Sequence, residues 1–197
     1  DSLDVIALFA EAMMTRTPWK LWDVKTGQPA NGADTLEARA VLEKGIALAT
    51  ARGVLQHLAI VHYHIHLLEM SATPEQALAS ADALAPLCPE MGHLNHMPGH
   101  IYVLCGQYED AKIVSEKAIR VDRMYLDYAG PHNFYTTSRC HDLHLMMYTC
   151  MFLGQFEPAM AAAEEMCANL GPDVLDVKGR PYLVMTMEGY YSMMMHV

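Results

Sequence analysis

The sequence predicts an all-α protein, a right-handed solenoid of stacked helix pairs, and three observations carry that prediction. Apolar residues recur at helical spacing along most of the chain. Strand signals are nearly absent: there is no sustained apolar/polar alternation and no Asn-Gly or Asp-Gly turn between β-branched runs. A helix corner occurs twice, as Gly106-Gln107-Tyr108-Glu109-Asp110-Ala111 and as Gly154-Gln155-Phe156-Glu157-Pro158-Ala159.

Taken in order, helices are expected over 3–15, 34–52, 54–70, 74–86, 97–105, 108–123, 138–153 and 156–169, with a last one from about 181 onward. Thr73-Pro74 supplies a cap and a first-turn proline, Pro98 opens another helix, and Gly106 and Gly154 make tight stops. Two connections are long, 17–33 and 124–137. The first carries Trp19 and Trp22 and reads as an ordered excursion packed by its tryptophans.

The duplicated corner is that of a tetratricopeptide repeat. Around its first copy, Gly99 and Tyr102 in the leading helix and Ala111 and Ala118 in the trailing one are the small and aromatic residues that let paired helices approach. Thr73-Pro74-Glu75-Gln76-Ala77, followed by Pro89, is a weaker third copy. The expected organisation is one domain over 1–197, with repeats at about 1–52, 54–89, 91–123 and 138–170 and a final partial helix from 181. Each pair leaves an apolar face that only its neighbour completes.

Composition narrows the function. With 52% apolar residues in 197, the chain can bury a core. It carries 23 acidic residues against 13 Lys plus Arg, a formal charge of −10, and no basic run that could track a phosphate backbone, so nucleic acid is not an expected partner. No apolar stretch is long enough to span a membrane. The five cysteines form no CxxC pair and no even framework; reduced, mostly buried thiols and a cytoplasmic, soluble protein are the expectation. The chain opens Asp1-Ser2-Leu3-Asp4, which reads as a processed product or a fragment of something longer. GxSxG, Walker and GxGxxG motifs are missing, so hydrolase, triphosphatase and dinucleotide readings have no starting point.

The eleven histidines are more informative by position than by number. His96 and His100 stand 34 residues after His62 and His66, one repeat length. His141 and His144 follow His93 and His96 by 48, the longer interval reflecting the 124–137 connection, and Tyr148 takes the remaining slot. Residues three and four apart share a helix face, and packed helices lie about 8–10 Å apart, so imidazoles of successive leading helices are expected to converge in a concave groove. Neutral imidazole is the commonest metal ligand, and nitrogen donors favour zinc, copper or iron over magnesium or calcium. The candidate ligands are therefore His62, His66, His93, His96, His100, His132, His141 and His144, with Tyr63, Met97, Tyr135 and Tyr148 as groove residues and Glu11 and Glu69 as candidate proton carriers. His57, His64 and His196 fall outside the register and read as structural. Two alternatives stand beside metal binding: a polar network anchoring the stack, and a groove that docks a peptide or small acid.

Several strings resemble a mostly bacterial family of tetratricopeptide-repeat proteins over most of residues 3–135. They are Leu8-Phe9-Ala10-Glu11-Ala12-Met13-Met14, Pro18-Trp19-Lys20-Leu21-Trp22 with Gly27-Gln28-Pro29-Ala30, His62-Tyr63 with Ile65-His66, Gly92 to Tyr102 with its HxxHMPxHIY pattern, and Pro131-His132-Asn133. The resemblance implies the repeat fold and no particular reaction; similar proteins extend past both ends of this sequence. Two departures matter. Gln56 to Val61 stands where the family has Pro-Gly before the His-Tyr segment, and Tyr135 stands where it has a second histidine after His-Asn, with Tyr135, His141 or His144 as replacements.

The function these expectations support is a helical-repeat protein binding a transition metal in its histidine groove, with metal-dependent catalysis a further step. The alternative is a non-catalytic scaffold docking a peptide.

Overall fold

A computed structural model of the chain describes residues 2–175; the helix expected from about 181, and His196, lie outside the described residues. The architecture is all-α and built of sequential helix pairs. The order is α1 (Leu3–Met14), a two-strand hairpin of β1 (Trp22–Asp23) and β2 (Gln28–Pro29), α2 (Thr35–Ala51), α3 (Leu58–Leu68), a 3-10 turn at Pro74–Ala77, α4 (Leu78–Leu84), α5 (Gly92–Leu104), α6 (Tyr108–Ala129), α7 (Tyr135–Phe152), α8 (Phe156–Asn169) and the single turn α9 (Pro172–Leu175). None of the described helices is long and apolar enough to cross a membrane.

The chain forms two compact units. The first runs through Cys88 and adds His100–Gly106; the second comprises Pro89–Gly99 and the chain from Gln107. Helix α5 thus gives its earlier turns to one unit and its last to the other.

In the first unit α1 packs on α2, α2 on α3, and α3 on both α1 and α4. The contact is close because Gly45 of α2 has no side chain: a β-carbon there would come within 2.7 Å of Ile60 and 2.9 Å of Ile6. Ile6, Ala10, Leu42, Ala49, Ile60, Ile65 and Leu68 make the interior. In the second unit α6 packs on α7 and α7 on α8, around Ile119, Leu143, Met146, Met147, Ala159, Ala163 and Met166. The duplicated corner joins α5 to α6 and α7 to α8. In both copies the glycine is left-handed, at φ 76° for Gly106 and 66° for Gly154, and the glutamine stands at the next helix's N-cap.

Four expectations about the elements need correction. Helix α5 begins at Gly92, not 97, with Pro98 inside it. Leu94, Met97 and Ile101 are a buried stripe at helical spacing, and burying it outweighs the single backbone bond that the proline cannot donate. Helix α6 runs on to Ala129 and α7 starts at Tyr135, so the 124–137 connection shrinks to a short bend; the stop is Gly130, at φ 69° and followed by Pro131. Helix α3 starts at Leu58 rather than 54, because Gly53 turns the chain at φ 63° and Val54 and Leu55 remain exposed. Of the two tryptophans in the 17–33 excursion only Trp22 is packed, its indole N–H donating to the Leu67 carbonyl at 2.6 Å; Trp19 is 77% exposed. Two residues of β1 pair with β2, a short ladder with no alternating pattern or hairpin turn motif to announce it.

All five cysteines are free thiols; Cys140 and Cys150 are buried and the others partly so. Burial, with the Asp142 carboxyl adding to it, pushes the Cys140 thiol up to about 12 despite the neighbouring Arg139 guanidinium.

Candidate functional site

Histidines and carboxylates gather in each unit, and the two gatherings differ in charge. In the first unit, α3 presents His62 and His66 one turn apart, with ring centroids 4.7 Å from each other and ligand nitrogens within 4.8 Å. Glu69, one turn further along, accepts a hydrogen bond from His66 Nδ1 at 2.8 Å through one oxygen, and its other oxygen lies 2.9 Å from Nδ1 of His100. Facing an ionised carboxylate, each Nδ1 must carry the proton, which leaves the lone pair of each neutral ring on Nε2. The His66 and His100 rings stand 6.5 Å apart.

Burial alone would raise Glu69, whose side chain is only 11% exposed. The hydrogen bonds from His100 and His66, and the attraction of both rings, reverse that and hold the carboxyl down to about 2. Beside this cluster lies a cavity of about 160 Å³, with Glu11, Tyr63, His66 and Glu69 on its polar side and Met14, Leu21 and Met70 among its apolar lining. The Tyr63 phenol is pushed up by burial and by Glu11, with which it is hydrogen-bonded.

In the second unit His96 is wholly buried, 4.5 Å from the His141 ring between centroids, with ligand nitrogens within 4.8 Å; His93 stacks at 6.3 Å. His96 Nδ1 lies 3.1 Å from an Asp142 oxygen, both side chains being fully buried. Asp142 is itself paired with Asp122, and burial pushes both carboxyls up, Asp142 well above the usual range. Burial and the like charge of the neighbour therefore favour a proton shared within the pair. The Tyr135 hydroxyl donates to the other member, Asp122, at 2.8 Å, and burial with the Asp122 charge raises the phenol. Buried Arg139 supplies a positive charge near Asp122.

The remaining candidates are distributed as follows. His132 is exposed in the bend before α7. His144 lies one turn beyond His141, is lowered by burial, and has Tyr148 as ring neighbour at 6.4 Å. Tyr148 is on the surface against Phe152, and Met97 is fully buried rather than open to a groove. His64 is buried and shares a hydrogen bond with Ser80 at 2.8 Å, and His57 reaches Asp4 at 3.1 Å.

Sequence reasoning missed Asp122, Asp142 and Arg139. The available signal was their position: charged residues interrupting apolar stripes of α6 and α7, where a buried charge needs partners.

No protein-family model matches the sequence, and no curated protein matches it. Among solved structures, the chain is similar to TPR-like repeats of a Podosopora anserina protein described as a kinesin light chain, a crystal structure of nearly identical repeats. The match has a TM-score of 0.62 at 14% identity and covers 99% of this chain and 97% of that one. At that identity the likeness concerns the fold alone, which is that of a TPR-like helical repeat.

Proposed function

We propose that this TPR-like protein binds a transition metal ion through imidazole nitrogens of its first unit, with His62, His66 and His100 as ligands and Glu69 as the carboxylate that orients His66 and His100. The observation that supports this reading is Glu69 engaging two imidazoles by their Nδ1 atoms at 2.8 and 2.9 Å. An outer carboxylate of this kind sets ring tautomer and direction in metal sites and raises ligand basicity. Zinc, copper or iron fit a nitrogen donor set. The residues are part-buried, with side chains 27% (His66) and 22% (His100) exposed, so an ion can reach them.

The second unit is the weaker candidate. Its outer carboxyl, Asp142, is pushed well up by burial and then by Asp122, so it offers His96 less negative charge than Glu69 offers His66 and His100. Its residues read better as a buried polar network that fixes α6 against α7.

Glu69, at about 2, is a poor proton acceptor at neutral pH and acts here as a positioning residue. Any metal-dependent reaction would take its proton carrier from Glu11, across the adjoining cavity. The rival reading, a scaffold that docks a peptide, draws on the exposed apolar stripe of Val5, Leu8 and Phe9 on α1.

Metal analysis of the purified protein, repeated on His66→Ala plus His100→Ala, separates the two. Stoichiometric metal that disappears in a folded double variant supports the site. A wild type that takes up neither zinc, copper nor iron leaves the scaffold.

A further inference from the structure

The cavity beside Glu69 has features that metal binding does not use. It is lined by Glu11, Met14, Thr15, Pro18, Trp19, Leu21, Tyr63, His66, Glu69 and Met70. Two of these are carboxylates, none is lysine or arginine, and the remainder is mostly apolar. A volume of about 160 Å³ suits one compact apolar body, since cavities of about 150 Å³ accept benzene.

Trp19 adds an independent observation. It is the one non-glycine residue with positive φ among the described residues, at 55°. A left-handed conformation is costly for a bulky residue, and such outliers cluster at ligand clamps. The strain is not offset by packing the indole into the core, because Trp19 is 77% exposed at the cavity rim. An exposed indole lining the same cavity as two carboxylates can attract a cation by its ring quadrupole.

We infer that this cavity binds a small organic cation: a protonated amine on a compact apolar body, its ammonium directed to Glu11 and its body enclosed by Met14, Leu21 and Met70 under Trp19. The inference deepens the proposed site by naming the ligand class that would lie beside the metal ligands, and it does not require the metal to be bound. An anionic ligand would meet two carboxylates with no lysine or arginine to pair with. A neutral isostere would forgo the ion pair and the attraction to Trp19.

The test is calorimetry on the full chain at pH 7.5 in the presence of a chelator, with benzylamine, benzyl alcohol and benzoate as probes of equal size and different charge. Benzylamine is expected to bind at least tenfold more tightly than benzyl alcohol, with benzoate undetected. Glu11→Gln, checked for fold by circular dichroism, is expected to weaken benzylamine at least tenfold, and Trp19→Ala to weaken it severalfold. Benzoate or benzyl alcohol binding as tightly as benzylamine, no binding of any probe, or a folded Glu11→Gln protein with unchanged benzylamine affinity would each overturn the inference. Because the chelator removes metal, failure here is distinct from failure of the metal reading, which is scored by metal content alone.

Discussion

A β-carbon on Gly92 would lie 1.9 Å from the Oδ1 of Asp122, so the start of α5 is glycine because the Asp122 carboxylate occupies the space a side chain would need. The carboxylate cannot swing aside cheaply, being held by the Tyr135 hydroxyl at 2.8 Å and paired with buried Asp142. Gly92→Ala is therefore predicted to destabilise the protein by about 2–3 kcal/mol, as overpacking of a tight interior does. Urea unfolding followed by circular dichroism measures this; a midpoint equal to wild type would show that the network yields easily.

Asp142 and Glu69 respond to pH in opposite directions. The folded-state pKa of Asp142 is raised, so its contribution to stability is complete below the ordinary aspartate range and is lost as pH rises through the raised value. Asp142→Asn keeps the shape of the protonated acid and cannot ionise. We expect it to be as stable as wild type or more so at pH 7.5, and to flatten the decline that thermal melts of wild type should show as pH rises above the ordinary aspartate range. A variant that loses stability uniformly across those pH values would mean that Asp142 is needed as an anion.

For Glu69 the folded pKa is lowered from 4.5 to about 2, so its contribution is present above 4.5 and disappears as pH falls toward 2. The shift corresponds to about 3 kcal/mol at neutral pH. Metal-free Glu69→Gln should lose stability of that order at pH 7 and converge with wild type near pH 2. Parallel curves from pH 7 to pH 2 would contradict the assignment.

The helix pairs were legible because the glycine and glutamine of each corner are dictated locally. Gly106 and Gly154 supply left-handed turns that other residues adopt at a cost, and such positions can be read without knowing the fold. Boundaries failed where tertiary burial overrode a local rule. Pro98 looked like a helix start, yet the stripe of Leu94, Met97 and Ile101 extends the helix back to Gly92. Histidine spacing led to both gatherings, but the choice between them depends on which carboxyl is ionised. Spacing carries no information about that: Glu69 is held down because two imidazoles reach it, whereas Asp142 is pushed up by its burial and, after that, by the neighbouring Asp122.

Trp22 anchors the first excursion through its indole N–H on the Leu67 carbonyl. Trp22→Phe retains most of the buried ring and leaves that carbonyl short of a donor, a loss of about 1–3 kcal/mol. Chemical denaturation should register it, accompanied by a smaller near-ultraviolet signal. Unchanged stability would show that water replaces the donor.

Cys140 is predicted to be inert in the native state. With its thiol pushed up to about 12 by burial, almost no thiolate exists at pH 8, and a chromogenic disulfide reagent should modify it only at the rate of unfolding. Rapid modification of Cys140 in folded protein, located by mass spectrometry, would contradict its placement.

The most direct test of the account is a cobalt(II) titration of wild type and Glu69→Gln at pH 7.5, followed by the visible bands that nitrogen ligation produces. If Glu69 orients imidazole ligands, wild type shows a saturable spectrum at one equivalent, and the folded Glu69→Gln protein binds about 10–100-fold more weakly. A wild type without those bands, or a folded Glu69→Gln protein with undiminished affinity, would contradict it.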